Sequence, residues 1–162
     1  MKKKSMIKVQ KNNWNLLKKG NKMSLERFLK AQEKEYCGYK TALNEIKSGK
    51  KTSHWMWYIF PQIKGLGRSE MSQYYGIENL EEAQEYVQHP VLGKRLLEIT
   101  EALLQLEENN ARIIMGTPDD LKLRSSMTLF CLASQNQIFE KAIKKFFDGE
   151  MDQGTLRILG LD

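Results

Sequence analysis

Residues 55–60 read Trp-Met-Trp-Tyr-Ile-Phe, within the longer stretch His54–Gly76, HWMWYIFPQIKGLGRSEMSQYYG. A short apolar run of this kind suits a buried strand or a buried helical turn equally well. Its surroundings decide between them. No other part of the chain offers a strand to pair with it, and Pro61 disfavours helical geometry at the residue before it, which ends a helix there. The run is therefore assigned to a short helix, His54 to Phe60, capped by Thr52 or Ser53. With it the fold becomes all-α.

Working outward, Ile63 to Gly76 reads as loop, with one helical turn after Ser69. Upstream, Leu25, Phe28, Leu29, Gln32, Tyr36, Tyr39, Leu43 and Ile46 keep helical spacing. One helix from about Leu25 to Ser48 is expected, with Ser24 as N-cap and Gly49 as stop. Gly38 inside it is a weak point, costing about 1 kcal/mol against Ala. Downstream, Asn79-Leu-Glu-Glu82 has the form of a capping box and opens a helix that ends by His89, before Pro90. Leu92, Leu96, Ile99, Leu103 and Leu106 form an amphipathic stripe. Thr117 caps a helix with Pro118 in its first position and acids in its first turn. Its continuation, LKLRSSMTLFCLAS, is apolar on most sides, as in a central buried helix. Ser134 to Gln137 cap a further helix running to Gly149, and a last one covers about Asp152 to Leu159. The expected architecture is a single-domain bundle of about six or seven helices over residues 24–162.

A chain of 162 residues, 41% hydrophobic and 28% charged, is long enough for one core held without metals or disulfides. Cys37 and Cys131 have neither CxxC nor metal-ligand spacing and read as small buried hydrophobes in a reducing, cytoplasmic setting. The net charge is +6, but residues 1–23 hold eight lysines and no acid, leaving 18 basic against 20 acidic residues, or −2, for 24–162. The basic excess belongs to the tail. That tail is a disordered segment, a nucleic-acid or lipid-binding arm, or an addition ahead of a true start at Met23. The body itself gives no charge argument for binding nucleic acid. No run reaches the roughly 18 apolar residues of a membrane helix, and no apolar segment follows the basic N-terminus as in a signal peptide.

Candidate site residues gather in His54–Gly76. Trp55 and Trp57, two positions apart, do not share a helix face, so one can enter the core while the other lines a cleft and stacks a ring. Alternatively both are core aromatics and His54 bonds a backbone carbonyl. Gln62 stands at the Pro-Gln corner. Gly65, Gly67, Arg68 and Ser69 expose backbone amides beside a guanidinium and a hydroxyl, a combination that can hold a phosphate or carboxylate or simply make a turn. The spacing lacks the third glycine of a dinucleotide fingerprint and the Lys-Ser/Thr of a P-loop. Tyr74 and Tyr75 add hydroxyls, acting as hydrogen-bonding groups first. His89 reads as an N-cap. Ser125 and Ser126, in an apolar helix, either bond back to the preceding turn or face a cleft. No catalytic triad or metal signature is present, and no cofactor is implied.

The segments SLERFLKAQ, HWMWYIFPQIKGLGRSEMSQYYGI, EAQEYVQHPVLGKRLLE and LKLRSSMTLF together resemble domain-of-unknown-function family 1810, some of whose members carry the label calpastatin. The resemblance covers about residues 24–162 and implies an all-α, single-domain fold. Members typically begin near the position of Met23. The resemblance brings no activity and no catalytic residues. The calpastatin label fits poorly, because inhibitory segments of that kind are polar, repeated and fold on their target, whereas this body is capped, amphipathic and non-repetitive.

Three functions remain open. The first is a pocket for a small anionic or nucleotide-like ligand at residues 54–76, with or without catalysis. The second is a protein-interaction module marked by an apolar groove. The third is nucleic-acid binding through the basic tail.

Overall fold

The computed structural model describes residues 25–162. The expectations for the basic tail, for Met23 as a start and for Ser24 as an N-cap lie outside them. Ten helical segments, six of them at least seven residues long, make up the described residues, which contain no strand. The chain is an all-α single domain.

The first expected helix is two. Residues 25–32 form α1, burying Leu25, Phe28, Ala31 and Gln32, and Tyr39–Lys47 form α2, burying Tyr39, Ala42 and Ile46. The apolar stripe continues across both, which is why periodicity alone joins them. The break is made by the backbone. Cys37 takes φ 59, a left-handed conformation rare for a residue with a Cβ. A Cβ on Gly38 would lie 2.8 Å from the Gln32 carbonyl oxygen and closer still to that of Lys34. Glycine is thus required by a close approach of two chain segments. The Tyr58 hydroxyl donates to the Cys37 carbonyl at 2.7 Å and fixes the turn.

Met56–Ile59 form α3, a single helical turn, so the aromatic run is helical as expected. Its cap differs from expectation. Trp55 holds the N-cap position with no side-chain cap, and the Thr52 and Ser53 amides donate instead to Glu45 Oε1 at 2.6 and 2.8 Å. Glu70–Tyr75 form α4, with Ser69 as N-cap. Leu80–Gln88 form α5, capped by Asn79, whose side chain accepts from the Glu82 amide at 2.8 Å. Leu92–Gln105 form α6, burying Leu92, Leu96, Ile99 and Leu103. Val91 holds its N-cap position, and His89, the expected cap, supplies the acceptor from two residues earlier: Nδ1 accepts from the amides of Val91 and Leu92 at 3.1 and 3.2 Å.

Ala111–Met115 form α7, a short turn with no periodic signal of its own. Asp119–Ala133 form α8. The Thr117–Pro118 bond is cis and Pro118 takes the N-cap position, so Thr117 does not cap this helix. Ile138–Phe147 form α9 and Gln153–Ile158 form α10, the latter capped by Asp152.

Helix α8 is central. It buries residues on nearly every side, from Leu123 to Phe130, and packs against α5, α7, α9 and α10, while α2, α5 and α9 pack on α6. A line of rings crosses the core. Phe28 meets Tyr86 edge-on with centroids 5.1 Å apart, Tyr86 meets Phe130 at 5.3 Å, and Phe130 meets Phe139 at 5.8 Å. All four rings are buried, each contributing about 1.5–3 kcal/mol by leaving water. The only pairing outside helices among the described residues is an isolated parallel bridge between Ile63 and Ile77. No helix among them is long and apolar enough to cross a membrane.

Candidate functional site

The bridge between Ile63 and Ile77 closes the conspicuous stretch into a compact loop. The Ile77 amide donates to the Gln62 carbonyl at 2.9 Å and the Lys64 amide to the Ile77 carbonyl at 2.8 Å. Loops with ends joined this way are packed by their own side chains and are frequently functional. Arg27 of α1 braces the far side. Its Nε donates to the Tyr74 carbonyl at 2.9 Å, and one Nη to the Gly76 carbonyl at 3.0 Å and to Glu82 Oε1 at 2.6 Å.

The two tryptophans part. Trp55 is 0% exposed, its Nε1 donating to Glu45 Oε1 at 3.0 Å, so it serves the core and offers no face for stacking. Trp57 is half-buried, with the Lys122 ammonium 5.1 Å from its ring centroid. His54 is exposed, and its backbone carbonyl accepts from the Tyr58 hydroxyl.

Trp57, Gln62, Ser72, Tyr75 and Gly76 line a small cavity of about 10 Å³, at most the room one water needs. Gly67 lies against Ser72, where a Cβ would sit 2.5 Å from the serine Cβ. Gly65 has φ 109. Ser69 Oγ accepts from the Ser72 amide at 3.1 Å and lies 2.9 Å from Ser72 Oγ, so that hydroxyl is already engaged in capping α4. Arg68 is exposed beside it. Tyr74 is 61% exposed, whereas Tyr75 is buried, and burial, reinforced by the neighbouring Tyr74, pushes its phenol above the usual value while Arg27 opposes this.

Ser125 does not join this group. Its hydroxyl bonds back to the Leu121 carbonyl at 3.1 Å. Its neighbour Ser126 behaves differently. Ser126 Oγ, Trp57 Nε1 and Asp120 Oδ1 are the buried side-chain polar atoms among the described residues that have no hydrogen-bond partner. Such orphans are rare in native proteins and call for an explanation. Ser126 lies one turn along α8 from Lys122, on the same helix face, and Lys122 overlies Trp57.

Sequence patterns miss three residues that define this corner. Glu45 and Arg27 lie on other helices and carry no motif. Lys122 reads as an ordinary polar position at the start of an apolar helix. Lys122 and Lys51 both pair with Asp119, at 3.8 and 2.9 Å. The cysteines are half-buried thiols; burial, then Glu140, raises the Cys131 pKa, which makes it a poor nucleophile. No group of three or more His, Cys, Asp or Glu among the described residues is placed to hold a metal ion.

A much larger cleft lies elsewhere. It measures about 770 Å³ and runs between the α1–α2 break and the first turns of α6. None of the expected site residues lines it.

A solved structure with the same fold is the conserved hypothetical protein Rv1873 from Mycobacterium tuberculosis. It is 44% identical, the match covers 85% of this chain and 97% of that one, and the TM-score is 0.80. A search of curated proteins finds no match. The family model described as protein of unknown function (DUF1810) matches residues 22–159, and the chain belongs to that family.

Proposed function

We propose that the loop closed by Ile63 and Ile77 binds a small anionic or nucleotide-like ligand, with the Trp57 indole N–H as its central donor. One observation carries this reading: Trp57 Nε1 is buried and has no acceptor among the described residues. A buried donor left unpaired costs about 1–3 kcal/mol, and an acceptor atom from a ligand would recover it. The surroundings suit an anion. Lys122 sits over the Trp57 ring, Gln62 and Ser72 line the cavity beside it, and Arg68 stands exposed on the loop. The cavity of about 10 Å³ admits one ligand atom group, not a whole nucleotide. The rest of the ligand therefore lies at the mouth, over Ser72 and the Gly67–Ser69 backbone.

Thermal-shift measurement with a panel of nucleotides and sugar phosphates tests the reading. A ligand present at a hundred times its Kd contributes about 2.7 kcal/mol, which raises Tm by roughly 5–10 °C for a domain of this size. Trp57→Phe, which keeps a ring and removes the donor, abolishes that shift, and Arg68→Ala reduces it. No shift with any member of the panel, or a shift that survives both substitutions, overturns the proposal.

A further inference from the structure

We infer that the cleft between the α1–α2 break and α6 is a second binding site, for a small anion with an apolar body such as a medium-chain or aromatic carboxylate. Its volume of about 770 Å³ lies within the usual range for ligand pockets. Its walls are mixed in a particular way. Leu43, Pro90 and Val91 give an apolar side, and Val91 is 37% exposed. Lys34, Lys40 and Lys94 stand around it, all exposed and without an ion-pair partner among the described residues. Of the acids present, Glu33 pairs with Arg95 at 3.3 Å, while Glu98, which accepts from the Tyr39 hydroxyl, and Glu35 keep their charges. The three lysines outnumber these two acids by one, so the cleft joins apolar surface to an edge with a net positive charge, the complement of an amphipathic anion.

The backbone supplies an independent reason. A continuous helix from α1 into α2 would satisfy the apolar stripe, yet the chain breaks it and accepts a left-handed Cys37. Residues 33–36 gain no burial by the break, since all four are exposed. What the break produces is one wall of the cleft, bearing Lys34 and Glu35. Strained backbone of this sort gathers at functional sites. The floor is rigid: Gln32 is 4% exposed and donates to the Tyr58 carbonyl at 2.8 Å and to the Tyr86 hydroxyl at 3.0 Å, while Arg95 donates to its side-chain oxygen at 3.3 Å.

The test is a calorimetric or NMR titration of the full chain with octanoate, with octanol and inorganic phosphate as comparators. Octanoate binds saturably, and octanol and phosphate each bind at least ten-fold more weakly. The charge-reversed pair Lys40→Glu and Lys94→Glu, at exposed positions that leave the core intact, weakens octanoate at least ten-fold. Val91→Asp, which places a like charge on the apolar wall, weakens it similarly. Trp57→Phe leaves it unchanged, which separates this site from the loop. Equal affinity for octanol and octanoate, affinity unaltered by the lysine reversals, loss of binding in Trp57→Phe, or no saturable binding at millimolar octanoate overturns the inference.

Discussion

Glu45 Oε1 receives the Trp55 indole N–H at 3.0 Å, and the same oxygen receives the backbone amides of Thr52 and Ser53. One carboxylate on α2 therefore holds the entry to the aromatic turn. Burial by itself would raise the Glu45 pKa, but hydrogen bonds from the Ser53 hydroxyl, the two amides and the Trp55 indole outweigh it and hold the pKa at about 2, against an ordinary 4.5. A carboxylate with a depressed folded-state pKa stabilises the fold above its unfolded pKa and loses that contribution as pH falls through the folded one. Glu45→Gln is expected to lower stability at pH 7 by about 1–3 kcal/mol. Urea unfolding at several pH values checks this: the gap between wild type and variant shrinks as pH falls from 4.5 toward 2.

Arg27 and Glu82 join α1 to α5 through a 2.6 Å ion pair with side chains 11% and 8% exposed. Arg27 also holds the Tyr74 and Gly76 carbonyls, so the pair anchors the candidate loop as well as the bundle. Removing one partner leaves a buried charge, and Arg27→Ala is expected to cost about 3–5 kcal/mol. Replacing both residues, by Arg27→Met with Glu82→Gln, costs less than Arg27→Ala alone. Denaturant unfolding of the two variants compares them. Equal losses would mean that the carbonyl contacts, and not the pair, carry the effect.

These anchors mark the boundary of what the sequence discloses. Periodicity finds α6, which buries a continuous stripe, the run apolar on most sides finds α8, and caps at Ser69 and Asn79 are local chemistry that can be read in place. Gln32 and Tyr39 also keep one helical phase, so the break between them leaves no mark in the pattern. Its cause is the contact of Gly38 with carbonyls four and six residues earlier and the reach of Tyr58 from α3. The candidate loop is legible as an unusual cluster of aromatics and glycines. Which tryptophan is accessible is not, because that depends on Glu45 and Lys122, neither of them near it in the chain.

Gly38→Ala tests the break directly. The added methyl group meets the Gln32 and Lys34 carbonyl oxygens, both backbone atoms that cannot turn aside. Forced overpacking of this kind costs about 1–3 kcal/mol. Because the strain falls on one wall of the large cleft, octanoate affinity should fall along with Tm. Calorimetry at a temperature where the variant remains folded separates the two effects. A variant as stable as wild type would show that the backbone there can relax.

Ser126 and Trp57 allow the sharpest comparison, since each has a neighbour of the same type with a partner. Ser126 Oγ is buried and unpaired, whereas Ser125 Oγ bonds the Leu121 carbonyl. Removing an orphaned hydroxyl relieves its desolvation penalty of about 1–3 kcal/mol, less the small cavity left behind. Ser126→Ala is therefore expected to raise Tm by roughly 2–4 °C per kcal/mol gained, while Ser125→Ala does not. By the same reasoning Trp57→Phe gives up ring area but also an unpaired donor, so it costs clearly less than Trp55→Phe, which abandons the bond to Glu45. Thermal unfolding of the four variants decides the matter. Stabilisation at Ser126 with a small loss at Trp57 identifies polar groups kept at the expense of stability, as binding sites often require. A loss at Ser126 as large as that at Ser125 would mean that its hydroxyl is satisfied within the fold.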